Sequence, residues 1–299
     1  MTIRLPTLVL AALLMAGCAG RHVREPVPEA VTPLAVAVET PHSHAADNLN
    51  ATLWTQRAIE HDLIYREVYR AATQHLLAAL ADPAWDALPR EERTQSLDGL
   101  APAVILDIDE TVLDNSAYQA RLVRTGQAYD EVTWSNWVRE EAAPASPGAL
   151  EYTRFAADHG IAVIYISNRD RSLDEATLNN LRKLGFPVSG PEAFLGLGVV
   201  FPGCEQQGTE KGCRRQLVAQ KYRVLAQVGD QIGDFTDIIA NTADGRAAAV
   251  EPYLDWIGER WFVLPNPTYG SWEPATFDND WSLPEDQRHQ RKVNALRVE

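Results

Sequence analysis

The chain has 299 residues, which at roughly 150 residues per domain corresponds to two domains or to one large domain with extensions. Its 45% hydrophobic and 23% charged residues are typical of a globular protein and exclude the disordered, collagen-like and many-helix membrane classes. Asp and Glu number 41 against 27 Lys and Arg, which gives a net charge of -14 without any basic block. We therefore expect no nucleic-acid partner, and an anionic substrate would need local cations or a metal ion.

The N-terminal residues are predicted to form an export signal. Arg4 precedes an apolar run at 5–16, which is shorter than the ~20 residues of a membrane-spanning helix and predicts a signal peptide. The run ends in Leu14-Met-Ala-Gly-Cys18, which resembles the site at which bacterial lipoproteins are cleaved and acylated. We expect residues 1–17 to be a lipoprotein signal peptide, with a lipid on Cys18 holding the protein in the cell envelope, at the bacterial outer membrane. The alternative is an ordinary signal peptide in which Cys18 has no role.

Residues 18–48 are predicted to form a flexible tether, because they contain four prolines and no sustained strand or helix period. Once Cys18 is lipidated, Cys204 and Cys213 remain as an even pair. Disulfides persist outside the cytoplasm, so the sequence predicts a bridge between these two cysteines, with two separate thiols as the alternative.

Residues 49–299 are predicted to form one domain in which strand-like and helix-like segments alternate. Short apolar runs predict buried strands at 103–106, 161–166, 222–228 and 261–264. Helical patterns lie at 53–80, 148–159 and 214–220. This alternation predicts an α/β fold with a mostly parallel sheet, and ligands of such sheets bind at the carboxyl ends of the strands.

A smaller part of the domain is predicted to be mainly helical. Residues 114–147 lack strand patterns and contain several aromatic residues. Together with about 49–90 they are expected to form a helical lobe over the strand ends of a core, which comprises about 101–113 and 148–270. A lobe in that place would help to form a substrate pocket.

Two carboxylates, Asp107 and Asp109, follow the first predicted strand. They would repel each other unless a cation or a proton relieved them. The pair suits phosphoryl transfer, in which one carboxylate attacks phosphorus to give an aspartyl-phosphate while the other protonates the leaving oxygen and later activates water. Asp-x-Asp is also common in surface turns, so the motif alone leaves that alternative open.

Polar residues follow the other strands as well. Ser167 and Asn168 could hold phosphate oxygens with a hydroxyl and a backbone N–H. Lys211 could neutralise the nucleophile and the phosphate. Asp230 and Asp234, in Gly-Asp-Gln-Ile-Gly-Asp, offer oxygen ligands for Mg²⁺. Their order, each beside a strand end, favours one shared site over unrelated turns.

This motif order resembles the haloacid dehalogenase-like (HAD) phosphatases, and in detail the bacterial lipoprotein e and class C acid phosphatase family. The resemblance covers roughly residues 50–273, and its segments are Asp107-Ile-Asp-Glu-Thr-Val-Leu-Asp-Asn-Ser116, Tyr165-Ile-Ser-Asn-Arg169, Lys211-x-x-Arg214 and Val228-Gly-Asp-Gln-Ile-Gly-Asp-Phe235. It implies a HAD-like Rossmannoid parallel-sheet core with a smaller, mainly α-helical lobe, and an enzyme that hydrolyses phosphomonoesters.

The resemblance also implies catalytic and metal-binding roles. Asp107 would be the nucleophile and a Mg²⁺ ligand, and Asp109 the general acid and base, with its backbone carbonyl on the metal. Asp230 would be the third protein ligand, and Asp234 would support the metal or Lys211. The sequence departs from the family at Gln231, where members often have Asn, which could alter hydrogen bonding beside the metal.

Further implied roles concern phosphate and substrate. Thr111 would orient Asp109 and, with Ser167, Asn168 and Lys211, bind phosphate. Several members of the family take nucleoside 5′-monophosphates by stacking the base on aromatic side chains, which is worth roughly 1–3 kcal/mol per base. In this chain, the segments that contain Trp134, Trp137 and Tyr269 resemble the family segments that supply those aromatic side chains.

The favoured interpretation is thus a Mg²⁺-dependent 5′-nucleotidase. One alternative is a broad-specificity acid phosphatase that is indifferent to the base, and a more distant one is a catalytically inactive surface lipoprotein that binds a ligand. Oligomeric state stays open, with a homodimer among the possibilities.

Overall fold

The computed structural model describes residues 47–199, 202 and 208–298. The predicted signal peptide, the lipid site at Cys18, most of the predicted tether and Cys204 lie outside these residues. Within the described part of the chain, none of the helices is both long and apolar enough to cross a membrane.

A sheet of five parallel strands lies at the centre, in the order β3-β2-β1-β4-β5. The strands are β1 (Ala101–Leu106), β2 (Ala162–Asp170), β3 (Phe194–Leu197), β4 (Tyr222–Gly229) and β5 (Trp261–Val263). The α/β fold class and all four predicted strands are confirmed. Strand β3 is not predicted, because this four-residue strand contains Gly196 and gives no long apolar run.

Helices cover both faces of the sheet, as its apolar side chains require. Side chains alternate along a strand. Val104 and Leu106 of β1 therefore pack in one core with α2 and α5, while Ala103 and Ile105 pack in another with Val218 of α7. The layered arrangement leaves the carboxyl ends of the strands as the open edge.

The described helices are α1 (Leu49–Arg57), α2 (Ile59–Ala81), α3 (Ser116–Thr125), α4 (Glu131–Arg139), α5 (Ala149–Asp158), α6 (Asp174–Leu184), α7 (Gly212–Ala219), α8 (Ala243–Val250) and α9 (Glu285–Asn294). The single helix predicted at 53–80 is wrong, because Ala58, with ψ 121°, separates α1 from α2. Helix α1 packs against α3, where Gln56 donates to the Ser116 hydroxyl (3.3 Å), whereas α2 packs against α5 and the sheet. Two packing surfaces in different directions thus override a continuous helical pattern.

Helices α3 and α4 supply the mainly helical part predicted between β1 and α5. Helix α1 contacts α3, and α4 contacts α6. Helix α2 lies instead in the layer that covers β4 and β5. The N-terminal segment therefore contacts both parts, and the predicted division into lobe and core stays a prediction.

Candidate active site

Asp107 and Asp109 lie in a tight turn directly after β1. The Asp107 N–H donates to the Val228 carbonyl (3.0 Å), so β1 and β4 deliver their last residues to the same point. Glu110 has a positive φ of 54°, and its N–H donates to the Leu113 carbonyl (2.8 Å). This left-handed residue reverses the chain immediately after Asp109, which holds both carboxylates at the strand end.

Three carboxylates and one ammonium group meet at this edge. Carboxylate oxygens of Asp107, Asp230 and Asp234 lie within 4.8 Å of one another. Lys211 forms an ion pair with Asp107 and donates to Asp234 (2.7 Å) and to the Ile166 carbonyl (2.9 Å). Three negative groups against one positive group leave an excess of negative charge, and hard oxygen donors of this kind suit a divalent cation such as Mg²⁺.

Burial sets the protonation of this cluster. It raises the pKa of Asp107 well above its ordinary value, in spite of the opposing effect of Lys211. Burial, followed by repulsion from Asp234, raises the pKa of Asp230 to about 7. Burial alone would lower the pKa of Lys211, but Asp107 and Asp234 raise it above that of an ordinary lysine. A bound cation would favour the ionised carboxylates that burial disfavours.

Asp234 approaches the cluster through a glycine. A Cβ at Gly229 would lie 2.5 Å from Asp234 Cβ and 2.6 Å from its Cγ, so only glycine permits this approach. The Gln231 N–H donates to Asp234 Oδ2 (2.8 Å). Arg215 donates to the Asp234 carbonyl (3.2 Å) and pairs with the buried Glu92 (2.6 Å). These two contacts hold the backbone of the loop at Asp234.

The Asp109 carboxylate has different partners from those of the acid cluster. Its Oδ1 accepts hydrogen bonds from Arg169 Nη2 (2.8 Å), Arg169 Nε (3.0 Å) and Asn115 Nδ2 (2.9 Å). Its Oδ2 is 3.2 Å from Arg169 Nε and 3.4 Å from the Ser167 hydroxyl. Ser167 thus lies beside the predicted general acid, and its predicted role in binding phosphate stays a prediction.

Thr111, which is buried, and Asn168 lie beside this arrangement. The Thr111 hydroxyl is 3.5 Å from Asp230 Oδ1, and its carbonyl accepts from the Tyr69 hydroxyl (2.9 Å). Its side chain is thus bonded towards Asp230, whereas Arg169, Asn115 and Ser167 orient Asp109. Asn168 is exposed, and its Oδ1 accepts from Arg214 Nη2 (2.6 Å).

The predicted aromatic residues occupy unequal positions. Tyr269 is partly exposed, and its hydroxyl donates to the buried Glu110 carboxylate. Trp134 is also partly exposed, and its ring centroid lies 5.5 Å from the Arg169 guanidinium. Trp137 is only 3% exposed, and its indole N–H donates to Asn115 Oδ1 (2.8 Å). Trp134 and Tyr269 therefore keep surface for a ligand, while Trp137 supports Asn115 from inside the protein.

Cys213 lies in the first turn of α7, two residues after Lys211, and it is disulfide-bonded. Its predicted partner, Cys204, lies outside the described residues. The pairing of these two cysteines stays a prediction.

Several residues that shape this site carry little signal of their role in the sequence. Arg169 and Asn115 appear in the quoted motifs, but nothing in their spacing connects them to Asp109. Asn266 also donates to Asp230 Oδ2 (2.8 Å), and so does Gln231 (2.8 Å). A polar residue just after β5 was the available signal for Asn266, because the ends of β1, β2 and β4 all contribute to the site.

The chain is similar in sequence and structure to several known proteins. The family model of the HAD superfamily, subfamily IIIB (Acid phosphatase), matches residues 32–272. The class C acid phosphatase from Bacillus anthracis has a similar structure, with a TM-score of 0.74 and 31% sequence identity, covering 86% of this chain and 99% of that chain. Its tungstate-bound crystal structure gives a TM-score of 0.73 with the same identity and coverage.

Plant proteins are more distant relatives. Acid phosphatase 1 of Solanum lycopersicum is 25% identical over 170 residues, which is 55% of this chain and 57% of that protein. The Stem 31 kDa glycoprotein of Glycine max is 27% identical over 165 residues, 55% of this chain and 58% of that protein. The chain thus spans less than two thirds of the length of these relatives. Because the family model covers most of the chain and the acid cluster lies inside the matched range, the protein belongs to the HAD superfamily, subfamily IIIB (Acid phosphatase).

Proposed function

We propose that this protein is a Mg²⁺-dependent phosphomonoesterase that uses Asp107 as its nucleophile. The observation that carries the proposal is the meeting of Asp107, Asp230, Asp234 and Lys211 at one edge of the sheet. Asp109 lies in the same turn, and its carboxylate pairs with Arg169. A nucleophile and a separate proton donor are the two groups that phosphomonoester cleavage requires.

The oxygen donors present fit a divalent cation. Asp107, Asp230 and the backbone carbonyl of Asp109 would hold it, with Asp234 and Lys211 adjacent. When bound, such a cation neutralises negative charge on the phosphate and on the nucleophile. The cluster contains three carboxylates, and the pKa of Asp230 is raised to about 7. Both observations support this assignment.

The proposed reaction has two steps. An Asp107 carboxylate oxygen attacks phosphorus, and the bond to the leaving oxygen breaks as that oxygen receives a proton from Asp109. In the second step Asp109 takes a proton from water, which attacks phosphorus, releases inorganic phosphate and restores the Asp107 carboxylate. Lys211 and Ser167 would bind the phosphate oxygens, whose charge grows in each transition state.

Nucleoside 5′-monophosphates are the proposed substrates, because Tyr269 and Trp134 offer partly exposed rings near the phosphate site. Tyr269→Ala should raise KM for a nucleotide roughly tenfold, as expected for the loss of one stacking contact, and leave p-nitrophenyl phosphate unaffected. Tyr269→Phe keeps the ring and serves as the matched control. Little change in KM for the nucleotide would instead identify a broad-specificity acid phosphatase that is indifferent to the base.

We also propose that a lipid on Cys18 anchors the protein in the cell envelope, at the outer membrane. The support is the Leu14-Met-Ala-Gly-Cys18 sequence at the end of the apolar run. Cys18→Ser should shift the protein from the membrane fraction to the soluble fraction. An unchanged distribution between the two fractions would refute the proposed lipid anchor.

The central test is release of inorganic phosphate from nucleoside 5′-monophosphates, their 3′ isomers and p-nitrophenyl phosphate, with Mg²⁺ or with a chelator. Asp107→Asn should abolish release, while Asp170→Asn, an exposed carboxylate at the end of β2, should not. Chelation should also abolish it. A wild-type protein that releases no phosphate from any of these substrates would be an inactive ligand-binding protein instead.

A further inference from the structure

The two oxygens of the Asp109 carboxylate have different surroundings. Oδ1 accepts three hydrogen bonds of 2.8 to 3.0 Å, two from Arg169 and one from Asn115. Oδ2 has only longer contacts, with Arg169 (3.2 Å) and with the Ser167 hydroxyl (3.4 Å). Three short donors occupy the lone pairs of Oδ1, so this oxygen has no room for a proton.

We infer that Arg169 and Asn115 are positioning residues that anchor Oδ1 of Asp109 and leave Oδ2 as the oxygen that delivers the proton. The inference rests on the proposed function, in which Asp109 is the general acid. It adds to that function the atom that carries the proton and the residues that select it.

Arg169 is built to hold one orientation. Arg169 lies two residues after Ser167 in β2. Side chains two residues apart in a strand share a face, and both of these contact Asp109. The Arg169 side chain is 1% exposed, and its Nη1 donates to the buried Thr177 hydroxyl (3.1 Å). The ring of Trp134 lies 5.5 Å from the guanidinium. A planar guanidinium fixed at several of its N–H groups presents a rigid fork to Asp109, which a flexible lysine could not do.

Asn115 is held just as firmly. Its Oδ1 accepts from the indole N–H of Trp137 (2.8 Å), which turns its amide N–H groups towards Asp109. Its backbone N–H donates to Glu110 Oε1 (2.7 Å). The buried Trp137 thus acts on Asp109 through Asn115, which explains why this tryptophan faces inward.

Proton transfer from Oδ2 is consistent with the charge balance of the first step. The O–H bond of Asp109 breaks as the leaving oxygen gains the proton, while phosphorus exchanges its bond to that oxygen for one to Asp107. Asp109 is then a carboxylate, and the adjacent Arg169 guanidinium stabilises its negative charge. Ser167 lies beside Oδ2, so the same oxygen faces the proposed phosphate site.

The test compares substrates that differ in their need for a proton. Phenyl phosphate and p-nitrophenyl phosphate have similar shapes, but p-nitrophenolate leaves readily as an anion and phenolate does not. Comparing kcat/KM restricts the comparison to steps up to departure of the leaving group. Arg169→Met should lower kcat/KM for phenyl phosphate roughly 100-fold, the typical contribution of a general acid, and for p-nitrophenyl phosphate less than about tenfold.

Arg90→Met is the matched control, because Arg90 also lies over a tryptophan ring (5.4 Å from Trp256), yet it is exposed and does not contact Asp109. It should change neither value. If Arg169→Met does not fold, Arg169→Lys, which keeps the charge and loses the fork, should show the same substrate selectivity to a smaller degree. Equal losses on both substrates, or no loss, would overturn the inference. Failure of the wild-type protein to hydrolyse either substrate would instead refute the proposed function.

Discussion

Lys211 compensates the charge of the acid cluster, with both of its carboxylate partners buried. Lys211→Met would leave these carboxylates without their cation. Breaking a buried ion pair by removing one partner costs about 3 kcal/mol or more, so we expect the free energy of unfolding to fall by about 3 kcal/mol. Urea unfolding measures this change, and Mg²⁺ should recover part of it by replacing the lost charge.

The exposed Lys221 provides the comparison, since Lys221→Met should change the same free energy by less than about 0.5 kcal/mol. Similar unfolding curves for the two variants would contradict the assigned role of Lys211.

Two glycines in one loop allow a second test. Gly229→Ala would place a Cβ against the side chain of Asp234, whereas a Cβ at Gly233 meets no atom within 4 Å. We expect Gly229→Ala to displace Asp234 from Lys211 and to lower kcat/KM by more than about tenfold, because small displacements in a site are costly. Gly233→Ala should retain activity. Equal activities would show that the approach of Asp234 is not required.

The residues named from sequence differ in how they could be found. Asp107, Ser167 and Asp230 follow apolar runs, so the rule that parallel strands end at one edge predicts that they meet. Arg169 reaches Asp109 across 60 residues of sequence, and that contact follows from the order of β1 and β2 in the sheet. Its role required the three-dimensional structure.

At the scale of elements, the sheet is joined to α2 by one arginine. Arg223 of β4 donates to the carbonyls of Ala79 (2.9 Å), Leu80 (3.1 Å) and Asp82 (2.6 Å) at the end of that helix. The last carbonyls of a helix lack intrahelical partners, and a buried cation satisfies them. Arg223→Met should therefore lower the free energy of unfolding by about 3 kcal/mol and leave kcat unchanged.

Chemical unfolding and phosphate release measure the two effects separately. Arg182→Met, in the exposed last turn of α6, should cost less than about 0.5 kcal/mol. A loss of kcat at full stability would place Arg223 in the catalytic machinery instead.

Elements with a continuous apolar pattern could be predicted, and those fixed by packing could not. Strands β1, β2, β4 and β5 are short runs buried on both faces, and the sequence indicates each of them. No proline or glycine marks the break at Ala58 in the sequence. The break follows from the different elements against which α1 and α2 pack. Local pattern therefore predicts the sheet, while long-range contacts decide the path of the N-terminal helices.

At the scale of the whole molecule, folding concentrates ionisable groups that water would otherwise solvate. β1 and β4 bring Asp107, Asp230 and Asp234 together, and α7 brings Lys211 to them. Stability of the metal-free protein must then depend on pH. The fold supplies the binding site for a cation at a cost to the stability of the empty state.

Asp230 sets the direction of that dependence. Burial raises the pKa of Asp230 to about 7 in the folded protein, above the ordinary value of 3.8. Between these values the folded state binds more protons than the unfolded state, so the stability of the metal-free protein falls as pH rises towards 7. Metal ligands must be ionised, so a cation binds more weakly below pH 7, by up to about tenfold per pH unit for one proton. The gain in melting temperature from Mg²⁺ should therefore be larger at pH 8 than at pH 5.

Thermal unfolding with Mg²⁺ or with a chelator, across that pH range, measures this gain. Asp230→Asn removes the titrating group and should lose most of the gain at pH 8, whereas Asp170→Asn should behave as the wild-type protein. A gain that is independent of pH would mean that the cation does not displace a proton from Asp230. Since the same proton competes with the metal that the proposed reaction needs, activity at limiting Mg²⁺ should fall at acidic pH and recover when the Mg²⁺ concentration is raised.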